Sequence, residues 1–163
     1  MKILIGFSTS RAWYSRIIRY LTGAKVSHTF LLLRGALLGE DMVLEASMLG
    51  FTLRTFSAFK TAGNQIVSLR TPKVPLDGAT LYALQWLDKF YDYTGLLGMG
   101  WVELGKHFKR QWSNPLHTPN ALFCSESVAK ILQLASYPGA EYLSPESTSP
   151  ADLLEFLSNA TVS

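Results

Sequence analysis

The chain has 163 residues, 48% of them apolar and 17% charged, which suits a single domain and excludes disorder over most of its length. A lone cysteine excludes an internal disulfide and any zinc site built on two or more thiolates, and points to a reducing, cytoplasmic setting. The net charge of +3 divides unevenly, with ten Lys/Arg against three Asp/Glu in residues 1 to 75 and five against nine in residues 76 to 163. These charges are spaced singly, so nucleic acid is not an expected partner.

No apolar run approaches the roughly 20 residues that span a bilayer. Ile3 to Phe7 is too short for the hydrophobic region of a secretory signal, so export is not expected.

Lys2 to Phe7 predicts a strand, after which Ser8-Thr9-Ser10 offers N-caps for a helix over Arg11 to Thr22 that Gly23 closes. Trp13, Tyr14, Ile17, Ile18, Tyr20 and Leu21 share one side of that helix, with Arg11, Ser15, Arg16 and Arg19 on the other. The pattern favours a helix that packs its apolar side on a sheet over one that lies on an anionic membrane.

Four runs then follow strand periodicity, His28–Arg34, Met42–Ser47, Phe51–Thr55 and Gln65–Arg70, with turn residues between them. They predict a four-stranded antiparallel meander in which His28 faces with Phe30 and Leu32, and Glu45 with Val43 and Ser47. A helix is expected over 78–90 with Asp77 as N-cap, then an irregular, glycine-rich and basic stretch through Trp112. A further helix is predicted through Ser127 to Leu134, with Cys124 where the preceding apolar stretch enters it. A last helix is capped by Ser149 with Pro150 at its first position.

Cys124 at a helix N-terminus would meet the positive end of the macrodipole, which favours a thiolate, and its own backbone N–H could point at a developing oxyanion. A free cysteine is otherwise a small buried hydrophobe. A thiol nucleophile needs a base, and of His28, His107 and His117 only His28 opens a predicted strand. His107 and His117 lie in polar, basic surroundings. Glu45 on the next strand could fix the imidazole tautomer, or it could simply be a half-buried carboxylate paired with an arginine. Residues 100–107 have the spacing of a phosphate-binding loop, but His107 stands where a Ser/Thr hydroxyl is needed. No metal site or cofactor is expected.

Taken in order, Ile17-Ile18-Arg19-Tyr20-Leu21-Thr22-Gly23, Ser27-His28, Val43-Leu44-Glu45-Ala46, Tyr91-Asp92-Tyr93-Thr94-Gly95, Phe123-Cys124-Ser125-Glu126 and Ser149-Pro150-Ala151-Asp152-Leu153 span nearly the whole chain. That succession resembles the circularly permuted, NlpC-type papain-like fold in its YiiX-like branch. The resemblance implies one α+β domain over residues 1–163, a small antiparallel sheet packed against helices, in which an early strand histidine meets a late helix cysteine. It implies a cysteine hydrolase or acyltransferase acting on an amide or ester, with Cys124 as nucleophile, His28 as base and Glu45 as orienter. Tyr91, Ser27 and Phe123 would bind substrate, which could be a cell-wall peptide, an acylated lipid or a protein tail. The alternative is a non-catalytic module of the same fold that holds an anionic membrane or a protein partner through the basic first helix.

Overall fold

A computed structural model describes residues 2–87, Val102, Gly105 and 123–159. Its centre is a five-stranded antiparallel sheet built from β1 (Lys2–Thr9), β2 (His28–Leu37), β3 (Glu40–Ser47), β4 (Gly50–Thr55) and β5 (Gln65–Arg70), in the order β4-β3-β2-β1-β5. The four expected strand runs are present, and β2-β3-β4 form a meander. The fourth run does not continue it. A short helix, α2 (Phe56–Thr61), carries the chain back across the sheet, and β5 pairs with β1 instead of β4. The helix starts because Thr55 accepts a hydrogen bond from the Ala58 N–H through its hydroxyl, a cap that the strand-like pattern before it conceals.

Strand alternation sorts the side chains onto two faces. On one, Ile3, Ile5, Phe7, Leu31, Leu33 and Leu44 pack against α3 (Asp77–Ala83), α4 (Cys124–Leu134) and α5 (Pro150–Asn159). On the other, Phe30, Leu32 and Val43 pack against Phe59 of α2, with Leu4, Phe56 and Ile66 around them. Both faces of the central strands are covered, so β1 and β2 read as nearly continuous apolar runs, whereas edge strand β5 alternates. In α4, Val128, Ile131 and Leu132 are buried, each contributing about 1.5–3 kcal/mol by leaving water. They seat the helix so that its first turn reaches the sheet.

Several boundaries shift. β1 runs on through Ser8 and Thr9, so α1 (Trp13–Thr22) begins later than expected; its N-cap is Ala12, without a side-chain cap, and Gly23 at φ 65° closes it. Asp77 is the first residue of α3 rather than its N-cap, and the helix tightens into a 3₁₀ turn at Leu84–Trp86. The continuation to residue 90 and the basic stretch through Trp112 lie outside the described residues. The final cap is as expected: Ser149 Oγ accepts from the Asp152 N–H, and Asp152 Oδ2 accepts from the Ser149 N–H.

The largest departure is α1. Its apolar side does not pack on the sheet: its one buried residue is Ser15, while Trp13, Ile17, Tyr20 and Leu21 are exposed. Ser15 anchors the helix through polar contacts, with Oγ 2.6 Å from Ser27 Oγ and donating to the Ser10 carbonyl at 2.9 Å. A serine-based attachment is invisible to an argument that assigns the apolar side to the interior. Among the described residues, no helix is long and apolar enough to cross a membrane.

Candidate active site

His28 is the first residue of β2, opposite Ser8 of β1. Its ring stacks on Phe30 and Phe59, with centroids 6.3 and 6.1 Å away. Strand parity puts Glu45 on the same face, as the alternation predicts. Nε2 of His28 and Oε2 of Glu45 are 2.5 Å apart, and Glu45 is buried. The other carboxylate oxygen, Oε1, lies 2.5 Å from Nη2 of Arg54 on β4, and that guanidinium also sits 5.1 Å from the centre of the Phe59 ring. Glu45 is therefore both the orienter of a histidine and the partner of an arginine.

With Nε2 engaged, Nδ1 is the nitrogen left to the thiol. Cys124, at the start of α4, acts electrostatically on the His28 ring and favours its charged form. Burial disfavours the charged ring, but Cys124 and Glu45 together outweigh it, and the His28 pKa is pushed up to about 10. Burial likewise works against ionised Glu45; the hydrogen bonds and charges of His28 and Arg54 prevail and hold its carboxyl below the ordinary value of 4.5. At neutral pH the arrangement holds a protonated imidazole against the Glu45 carboxylate.

Cys124 is the first residue of α4 and is itself buried. The helix start is held from within by Glu126, which accepts from the Phe123 N–H at 3.4 Å and from Lys130 Nζ at 2.6 Å. Lys130 offsets a carboxylate that would otherwise oppose negative charge two residues along the helix from Cys124. As the first helical residue, Cys124 has a backbone N–H with no acceptor within the helix.

His28 and Glu45 are thus in contact, and Cys124 acts on the same ring from the start of α4. Ser27 is buried and lines the cleft that His28, Glu45 and Arg54 border, together with Tyr14, Met48 and Asn64. Phe123, expected to touch substrate, is packed into the core beneath α4 and does not line that cleft. Nor does Cys124. Tyr91, His107 and His117 lie outside the described residues. Sequence reasoning missed Arg54 as a specific participant; its signal was an arginine on the strand paired with that of Glu45, at a position where Glu45 faces Thr52 directly and Arg54 lies two residues further along the same face.

The backbone matches the crystal structure of the metalloprotein YiiX from Escherichia coli O157:H7 with a TM-score of 0.53 at 21% sequence identity. The fold is YiiX-like. The match covers 82% of this chain but 64% of the YiiX chain, so this chain spans less than two thirds of that protein's length. No family model matches the sequence, and no curated protein does. The YiiX likeness is one of architecture: a mixed α+β structure with a five-stranded antiparallel sheet flanked by helices.

Proposed function

We propose that the protein is a cysteine-dependent hydrolase or acyltransferase of the circularly permuted, NlpC-type papain-like class, acting on an amide or ester. The observation that carries this reading is the His28–Glu45–Arg54 series of contacts on the sheet, with Cys124 at the start of α4 acting on the same imidazole. The histidine-before-cysteine order and the YiiX-like fold support it. In the reaction, the Cys124 sulfur attacks the substrate carbonyl carbon, and the oxyanion receives the Cys124 N–H at the start of α4. His28 passes its Nδ1 proton to the leaving amine or alkoxide as the carbon–heteroatom bond breaks, leaving a thioester on Cys124. His28 then takes a proton from water or a second nucleophile, which displaces the thioester and frees the sulfur. Glu45 holds Nε2 so that the ring presents Nδ1 throughout, and Arg54 holds Glu45.

YiiX is described as a metalloprotein, which raises the same question for this chain. The donor set here does not fit: among the described residues no three His, Cys, Asp or Glu side chains converge on one point where an ion could sit. The Glu45 carboxylate is already held between His28 and the Arg54 guanidinium, whose positive charge would oppose a cation.

Alkylation with iodoacetamide, followed by intact mass, tests the reading cleanly, because Cys124 is the chain's one thiol. The native chain should be modified at about pH 6, and His28→Ala should slow this at least tenfold. Equal rates in the two proteins would sink the proposal. Mass-trapped acylation of Cys124 by an activated ester, absent in Cys124→Ala, would identify the covalent intermediate.

A further inference from the structure

The end of the sheet that holds His28 and Glu45 is bordered by two exposed apolar features. β1 ends there and leads into α1, whose Trp13, Ile17, Tyr20 and Leu21 are 67%, 48%, 86% and 43% exposed. These residues recur at the spacing of one helical stripe, and the stripe lies opposite Ser15, by which the helix is attached. β3 carries Glu45 to the same end and turns at Met48 and Leu49, the latter 87% exposed. Tyr14 of α1 and Met48 of the turn line the very cleft that His28 and Glu45 border, so the two features flank its mouth. Leu37 and Leu38 at the β2–β3 turn are exposed too, but that turn lies at the opposite end of the sheet from His28 and Glu45.

Scattered exposed apolar side chains are ordinary; an apolar stripe with an aromatic at each end, running along a helix held to the protein by a serine, is not. Its charge surroundings select the occupant. Arg11, just before the helix, and Arg16, next to the stripe's edge, are exposed, Arg19 is half-buried and Lys25 follows the helix, and no acidic residue occurs before Glu40. Trp and Tyr rings at the stripe, flanked by long cationic side chains, match the boundary between lipid headgroups and acyl chains, where the rings bury their bodies and the guanidiniums meet anionic phosphates.

We propose that α1 and the β3–β4 turn form a docking surface for an anionic lipid bilayer, with the His28–Glu45 cleft opening toward the membrane. The docking rests on α1 and the turn alone. That a substrate is drawn from the bilayer surface rests in addition on the catalytic reading of Cys124.

Co-sedimentation of the full chain with vesicles of phosphatidylcholine alone, or with about one quarter phosphatidylglycerol, tests this. The native protein should bind the anionic vesicles and lose most of that binding as salt rises toward about 0.5 M. The double substitution Ile17→Glu/Leu21→Glu, at side chains that support no core, should weaken binding at least tenfold while leaving the Cys124 alkylation rate in solution unchanged. Cys124→Ala should bind as the native chain does. No sedimentation with anionic vesicles, undiminished binding by the double variant, or a solution dimer dispersed by the same two substitutions in a protein that ignores vesicles would each overturn the proposal. Because alkylation is read separately, loss of docking and loss of the thiol chemistry are distinguishable.

Discussion

Gly6 and Phe30 face each other across the β1–β2 ladder, and the Phe30 ring lies flat over the glycine: a Cβ at position 6 would fall 2.2 Å from ring atom Cζ. The ring that fills this gap is the one on which His28 stacks. Gly6 is therefore part of how the imidazole is placed, through one intermediate side chain.

Gly6→Ala should destabilise the fold, although alanine is ordinarily the better strand residue, because buried Phe30 is wedged between Gly6 and Phe59 with ring centroids 4.5 Å apart. Overpacking of this kind costs about 1–3 kcal/mol, a drop in Tm of roughly 3–10 °C. Calorimetry of the variant decides it; an unchanged Tm would mean that the ring gives way freely.

The His28 pKa, raised from 6.5 to about 10, makes stability depend on pH on the alkaline side. A group whose pKa is higher when folded stabilises fully below its unfolded value and ceases to do so as pH passes its folded value. Stability should thus decline between about 6.5 and 10. Glu45, held below 4.5, acts in the opposite sense: its contribution is present above that value and fades as pH falls below it. Urea midpoints measured from pH 4 to 10 should trace a plateau with both flanks, and His28→Asn should flatten the alkaline flank.

Arg54 acts on His28 through Glu45. Arg54→Ala leaves the buried carboxylate with one cationic partner in place of two, which should cost roughly 1–3 kcal/mol and lower the His28 pKa as the orienting carboxylate loosens. Arg54→Lys should restore part of both. The His28 ring-proton shift followed by NMR against pH separates this from simple loss of stability, since a merely structural arginine would leave the titration midpoint in place.

The residues that could do chemistry were legible in the sequence because strand and helix periods are local. Alternation alone put His28 with Phe30 and Glu45 with Val43, and the passage from an apolar stretch into a helix put Cys124 at a helix start. Arg54 was less legible, because nothing in its own neighbourhood says which carboxylate it meets across the ladder. Phe123 was misplaced for a related reason: its nearness to Cys124 in sequence carries it into the core, since the side chain before a helix start points under the helix.

What the sequence determined by itself is therefore the local backbone: the strand runs, the capped last helix and the sides on which polar groups fall. The tertiary structure decided the pairings, placing β5 beside β1, and it decided which side of α1 meets water. A helix's period shows that it has an apolar side but not where that side points; Ser15 and Ser27 settle that by a polar contact between residues far apart along the chain. The influence of Cys124 on His28 is of the same kind, an electrostatic effect across 96 positions that the packing of α4 against the sheet makes possible.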